Sequence, residues 1–392
     1  MKEKVNQKIV IVGGGFGGVK VALELANKPG FDVKLITPGT NFEYHGALYR
    51  SATGHSPTEV VIPLATIFKR ANNVELIHDK IVGINPIRKT IKGENGQEYI
   101  YDTAILALGN CINYFGIDGM EKHSFGMTTV RQTIELRSKL VELFRTSGKT
   151  PRVSVVGAGA TGVELVGELQ AFARKVSRKY GNRLVRPDVT LIEGADRPLP
   201  NLDPLLSAKA YKRLQKLGIK MRLNTRVNSC EAGKICLDGE DIDADLIVWT
   251  AGSKPVDFYS LHPKVFDLEK GKVKINQYLQ VPKFVDIYII GDNANTRFSG
   301  MAQTALHDAK FVAHNILRIQ EGLPPVAYRA WHPLYVVPIG GKWAVLQSDK
   351  HQLSGYQGWL MRRRADRWIF KNFLPYKQAI KQWSKGNHPA KF

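Results

Sequence analysis

Glycines at positions 13, 15 and 18 separate the apolar run Ile9-Val10-Ile11-Val12 from a second run, Val19 to Leu25. The arrangement returns further on: Val153-Ser154-Val155-Val156 leads through Gly157, Gly159 and Gly162, each 144 residues after its counterpart, into Val163 to Leu169. The chemistry served by this spacing is diphosphate binding. The first glycine makes the tight turn, the second lets a pyrophosphate reach the backbone, and the third packs helix on strand. The helix that follows turns unpaired N–H groups and its positive dipole end toward the anion. A single G-x-G-x-x-G is a weak signal. Two in register, each between a strand and a helix, point to a protein that binds two dinucleotides. The candidate contacts are Gly13, Gly15, Phe16 and Gly18 in the first copy, and Gly157, Gly159, Thr161 and Gly162 in the second.

The ribose side of each site separates the copies. The strand Val189-Thr190-Leu191-Ile192 ends at Glu193, an acid placed to pair with both ribose hydroxyls and to repel a 2′-phosphate, which favours NAD(H) over NADP(H). Arg197, four residues on, pulls the other way. In the first copy Phe31 to Ile36 ends at Thr37, which offers only a weaker, neutral acceptor. Two further apolar runs end in glycine, Tyr101 to Gly109 and Asp245 to Gly252, and a third, Val285 to Ile290, ends in Gly291-Asp292. Gly109, Gly252 and Asp292 are therefore candidate cofactor contacts, although Asp292 also reads as a plain helix or turn cap.

The elements that must position these residues fit a chain of 392 residues with 43% apolar and 23% charged content, enough for two or three domains with full cores. The fold class expected is α/β, with two Rossmann-like units, the second inserted in the first. The boundaries expected are 1–115 with 255–330 for the first unit, 116–254 for the second, and 331–392 for a C-terminal region. Ser147-Gly148-Lys149-Thr150 and Pro151 mark the entry to the second fingerprint. Val74 to Ile77, Ile81 to Ile84 and the turn Lys92 to Gly96 read as short β structure, and Ala302 to Glu321 as a helix closed by Gly322 and Pro324-Pro325. Phe42 to Gly54 reads as an aromatic, loop-like stretch. Cys111, Cys230 and Cys236 form neither a disulfide framework nor a metal spacing, so no metal site is expected, and Cys230 and Cys236 read as small apolar residues on neighbouring β segments. That usage suits a reducing, cytosolic setting. The N-terminus, through Lys2-Glu3-Lys4, has no signal-peptide pattern, and no run reaches the length of a membrane span.

The formal charge of +21 calls for anionic partners, and residues 331–392 carry much of it: eleven Lys and Arg against Asp349 and Asp366. Trp359, Trp368, Phe370, Phe373, Tyr376 and Trp383 interleave with that charge. Helical spacing sets Leu360 and Trp368 on one face and Arg363, Arg364 and Arg367 on another. Such a helix lies on an anionic membrane surface; the plainer reading packs it on its own core or on a second copy. No nucleic-acid module surrounds the basic stretch, so nucleic acid is not an expected partner.

Taken together, Gly13 to Gly18, Phe42 to Gly54, Asn113-Tyr114-Phe115-Gly116-Ile117, Gly157 to Leu169, Trp249 to Gly252, Ile290-Gly291-Asp292 and Ala302-Gln303 resemble the type II NADH:quinone oxidoreductases, flavoproteins with two dinucleotide-binding domains. The resemblance implies FAD in the first unit, NADH in the second, hydride transfer from NADH to flavin, and two electrons passed on to a membrane quinone without proton pumping. It implies that Asp292 bonds the flavin ribitol, that Ala302 lies at the cofactor, and that Glu164 stands near the flavin–nicotinamide contact. Read from the sequence alone, Glu164 is also an early helix carboxylate favoured by the dipole. The family's Ala-Gln-x-Ala-x-Gln segment at the quinone reads Ala302-Gln303-Thr304-Ala305-Leu306-His307 here. Gln303 keeps the amide, while His307 could bond a quinone oxygen and move a proton or be a helix histidine with no redox role. Arg362 aligns loosely with a basic residue at the quinone pocket. Glu164, Gln303 and His307 are thus the candidate catalytic residues. The family also implies a homodimer, peripheral on the cytoplasmic face of the cell membrane. Sulfide:quinone oxidoreductase, a soluble NADH-dependent or ferredoxin reductase, and a non-enzymatic redox-sensing flavoprotein are the alternatives. The first lacks its cysteine pair here, and the basic aromatic tail counts against the second.

Overall fold

The computed structural model describes residues 6–146, 149–181 and 185–386. Lys2-Glu3-Lys4, Ser147-Gly148 and the last residues of the expected tail, 387–392, lie outside them.

The run Ile9 to Val12 is apolar at every position because it forms a strand, Gln7–Val12, covered on both faces; Ile9, Val10 and Ile11 have no exposed surface. It is central in a sheet of six strands, in the order Gln280–Val281, Phe284–Ile289, Thr103–Leu106, Gln7–Val12, Phe31–Thr37 and Val74–His78. All neighbours run parallel except the first pair. The second copy builds a parallel sheet of four strands, Ile219–Arg222, Asp188–Ile192, Arg152–Val156 and Leu246–Trp249. The repetition extends past the glycines. Each unit carries an antiparallel three-stranded meander just before a parallel strand that pairs with its glycine-turn strand: Ile81–Asn85, Thr90–Gly93 and Glu98–Ile100 ahead of Thr103–Leu106 in the first, Val227–Glu231, Lys234–Leu237 and Asp241–Asp243 ahead of Leu246–Trp249 in the second. Cys230 and Cys236 lie on adjacent strands of the second meander, Cys230 buried. The chain passes between units through a two-stranded ribbon in which Asn110–Ile112 pairs with Ser253–Pro255.

Two regions depart from the sequence reading. Phe42 to Gly54 is mostly regular: a short strand, Asn41–Glu43, then a helix, Leu48–Ala52, in which all five residues are buried. Tyr49 and Ala52 pack into the second unit's core, which a solvated loop could not do. The C-terminal region begins as an antiparallel sheet, Tyr335–Pro338, Ala344–Gln347 and Gln352–Gly355, before the helices Tyr356–Lys371 and Tyr376–Lys385. Its sheet joins the second unit's core through Val337, Ile339 and Val345, while its helices join the first unit's core through Ile369, Phe370, Phe373, Leu374 and Ala379. The tail therefore straps the two units together. The expected division of its helix is partly inverted: Arg363 is buried along with Arg362, while Leu360 and Trp368 face solvent with Arg364 and Arg367.

Candidate active site: two glycine turns and the seam between them

Gly13 and Gly157 adopt φ of +120° and +103°, and a Cβ on either would overlap the backbone beyond the neighbouring strand, at Ala107 and at Ala251 respectively. Gly18 and Gly162 close the turns from below, each against the carbonyl of the first glycine. The middle glycines, Gly15 and Gly159, have no atom within 4 Å of a built Cβ. Each of them is the N-cap of a helix, Phe16–Leu25 or Ala160–Lys179, that has no side-chain cap and no acid in its first turn. Both turns thus present uncapped N–H groups to open space at the C-terminal edge of a parallel sheet, which is what a diphosphate needs. Phe16, expected as a cofactor contact, is buried in an aromatic cluster with Phe42, Tyr44 and Phe373, so the tail helps to hold the first turn.

Thr37 and Glu193 stand at the same place relative to the turns, since Gly13 N–H bonds Ile36 and Gly157 N–H bonds Ile192. The Glu193 carboxylate accepts from the amides of Ala158 at 2.6 Å and Ala195 at 3.0 Å. Thr37 packs its hydroxyl against Gly14, where a Cβ would come within 2.7 Å of Oγ1. Gly109 and Gly252 follow the equivalent strands of the two units. Gly109 is held by a residue the sequence reading missed, Asn293, whose side chain accepts from the Gly109 amide at 2.9 Å and donates to its carbonyl at 2.6 Å. The signal lay in the Gly291-Asp292-Asn293 run. Asp292 accepts from Asn110 Nδ2 at 3.1 Å, and burial raises its carboxyl pKa. His45 lies close enough to act on Asp292 electrostatically, and burial lowers its pKa.

Ala302 opens the helix Ala302–Gln320. Gln303 and His307, one turn apart on it, both face the approach to the tail. Gln303 is bonded twice to Leu334, donating to its carbonyl at 2.8 Å and accepting from its amide at 3.1 Å, and a His307 ring nitrogen lies 2.9 Å from the Arg329 carbonyl. In this arrangement they hold the segment 329–334 in place. Their neighbour Asp308 is fully buried, accepts from Gly291 N–H at 3.0 Å and from Tyr328 O–H at 2.6 Å, and is pushed up to about 6 by burial.

Glu164 is the fifth residue of its helix and is not a cap: its carboxylate takes Arg362 Nη1 at 2.9 Å. Burial pushes it up to about 7, with Arg362 acting against the shift. Arg362 also donates to the carbonyls of Gly46 and of Val336, the latter at 3.1 Å, and to Asp366 at 2.9 Å. Arg50 pairs with Glu59 at 2.7 Å and lies 3.6 Å from Asp366, while Arg363 reaches Asp366 at 3.3 Å. Three arginines and three acids are thus buried where the first unit, the second unit and the tail meet. Of these the sequence pointed only to Glu164 and, loosely, Arg362.

The three cysteines are free. Cys111 sits in the connecting ribbon with its Sγ 3.9 Å from the Pro255 carbonyl, and burial raises its pKa, the opposite of a reactive thiolate. Among the described residues no group of His, Cys, Asp or Glu has metal-site geometry, and no helix is long and apolar enough to cross a membrane.

Residues 7–309 match the pyridine nucleotide-disulphide oxidoreductase family. A type II NADH:quinone oxidoreductase of Mycobacterium tuberculosis is 28% identical over 91% of this chain and 82% of its own length. One from Staphylococcus epidermidis is 26% identical over 81% of this chain and 83% of its own. In three dimensions the chain is similar to NDH2 from Plasmodium falciparum in complex with NADH, with a TM-score of 0.85 at 17% identity over 97% of this chain and 98% of that one. It is also similar to the sulfide:quinone oxidoreductase of Aquifex aeolicus, with a TM-score of 0.79 at 19% identity over 98% and 96%.

Proposed function

The chain belongs to the pyridine nucleotide-disulphide oxidoreductase family, and from that premise we propose that it is a type II NADH:quinone oxidoreductase. The observation that carries the proposal is the pair of glycine turns, both open at the middle glycine and each leading into an uncapped helix, with an acid at the ribose position of the second. FAD would be held by Gly13, Gly15, Phe16, Gly18, Thr37, Gly109, Asp292 and Ala302, and NADH by Gly157, Gly159, Thr161, Gly162, Glu193 and Gly252. When bound, FAD supplies the carrier that takes hydride from NADH and gives two electrons to a quinone. The chain's own part is orientation and the exclusion of water. Glu164 carries a proton at the junction of the units, where its raised pKa lets it exchange near neutral pH. Gln303 and His307 border the acceptor side through the segment 329–334 that they hold.

The domain assignment proposed is 1–115 with 255–330 for FAD, 116–254 for NADH and 331–392 for membrane association. Tyr356, Leu360, Trp368 and Tyr376 are exposed beside Arg364, Arg367, Lys371 and Lys377, a face suited to the surface of an anionic membrane on its cytoplasmic side. A homodimer completes the proposal. The test is NADH oxidation by a long-chain quinone carried in vesicles, with and without anionic lipid, alongside sedimentation with the same vesicles. Quinone-dependent turnover that rises with anionic lipid supports the reading. Turnover on a water-soluble dye alone, with no sedimentation, would replace it with a soluble reductase.

A further inference from the structure

The buried ionic cluster has a hub, and it is neither Glu164 nor Arg362. The Asp366 carboxylate accepts from Tyr44 O–H at 2.6 Å and from Arg362 Nε at 2.9 Å; Arg363 Nη1 is 3.3 Å away and Arg50 Nη1 3.6 Å. Only 1% of Asp366 is exposed. Arg362 uses its Nε on Asp366 and its Nη1 on Glu164, so the orientation that the first bond fixes determines where the second can reach. A planar guanidinium cannot turn one edge without turning the other.

We propose that Asp366 is a positioning residue that fixes the orientation of the Arg362 guanidinium toward Glu164 and, by its own negative charge set against the arginines, governs the charge Glu164 carries during turnover. The proposal rests on the reading of Glu164 as a proton carrier at the junction. The other groups that act on Glu164 come from each element packed against it. They are Arg362 and Asp366 on the tail helix, Arg50 and Tyr49 on the helix Leu48–Ala52, and Tyr44 just before it. Glu168, one turn on in its own helix, is buried and has its own pKa raised by burial. Asp366 supplies the negative charge that opposes the arginines. Its carboxylate is held ionised by Arg362, Arg50, Tyr44 and Arg363 against the cost of burial.

Two substitutions bear on Asp366 with opposite signs. Asp366→Asn keeps an oxygen to accept from Arg362 Nε, and with it the guanidinium's orientation, but removes the negative charge, so Glu164 should hold its own charge to lower pH, by roughly one unit. Tyr44→Phe removes the hydroxyl that screens Asp366 and leaves every charge in place, so Glu164 should titrate a fraction of a unit higher. Two readouts are made on the flavin-loaded enzyme. One is the limb of the pH–rate profile that Glu164→Gln abolishes. The other is the protonated-carboxyl infrared band missing in the same variant, which requires no turnover. Opposite displacements of limb and band in the two variants support the proposal. An unmoved limb and band in Asp366→Asn, or displacement of both variants in one direction, overturns it. Should Asp366→Asn fail to fold, Tyr44→Phe decides alone, an upward shift supporting and no shift overturning. A wild type without NADH:quinone turnover ends the functional reading, and the infrared titration then decides whether Asp366 governs the Glu164 charge.

Discussion

The two glycine turns are nearly the same object built twice, and they part company at one position. Strand pairing, left-handed first glycine, open middle glycine and close third glycine are all repeated. The second turn is braced by Glu193, which ties Ala158 and Ala195 together, and the first has only the Thr37 hydroxyl against Gly14. The turn is therefore specified by glycine packing alone, and the residue at the strand end is free to be chosen for the ribose. On the proposed assignment, that independence lets one fold serve two different nucleotides.

The sharpest way to break the comparison is to fill one turn and leave the other. Gly13→Ala places a methyl group on the Ala107 carbonyl at a backbone angle that L residues avoid. The expected outcome is protein purified with less than about a tenth of the wild-type flavin, since the strain costs on the order of 1–3 kcal/mol before the overlap is counted. Gly157→Ala should instead stay yellow and fail to bleach with NADH. Absorbance at the flavin band reads both. Next in size is Glu193→Gln. Losing an ionised acceptor of hydrogen bonds costs about 1.5–3 kcal/mol, so the NADH over NADPH preference in kcat/KM should fall by about tenfold or more.

The seam between the units gives a smaller, pH-dependent effect. Glu59 and Glu164 are each pushed up to about 7 by burial, from 4.5. These two carboxylates therefore hold more protons in the folded protein than in the unfolded chain between these values, and their contribution to stability should fall as pH rises from about 4.5 to about 7. The slope of the melting temperature over that interval should flatten in Glu59→Gln, and an equal slope in both proteins would remove Glu59 from the account. The smallest effect belongs to Thr37→Val. With a neutral hydrogen bond at stake, about 0.5–1.5 kcal/mol, flavin dissociation should quicken by no more than about tenfold.

Much of this was legible from local sequence. Ile9 to Val12 and Val153 to Val156 are buried on both faces, so their strands write themselves as unbroken apolar runs, and the glycine positions follow from sterics that do not depend on the rest of the chain. Glu193 was legible for the same reason. The seam was not. Arg363 beside Arg364 and Arg367 looks like one charged helix face, and nothing nearby says that it turns inward. Its setting is supplied by Asp366 on the same helix, Trp383 on the next, and Arg50 and Glu59 some three hundred residues away. Charge burial of this kind depends on partners brought together only by the tertiary fold. The tail strands were missed because four-residue strands such as Tyr335–Pro338 carry too little period to register. Gln303 and His307 lie on the helix that the sequence places from Ala302, but the segment 329–334 that they bond has no pattern of its own.

The central claim, that the first turn holds a flavin and the second admits NADH, is tested most directly by anaerobic stopped-flow absorbance of the purified protein mixed with NADH and then with a short-chain quinone. The account predicts rapid bleaching of the flavin band by NADH, much slower bleaching by NADPH, and return of colour on adding the quinone. A yellow protein that NADH does not bleach, or one bleached equally fast by both nucleotides, would contradict it.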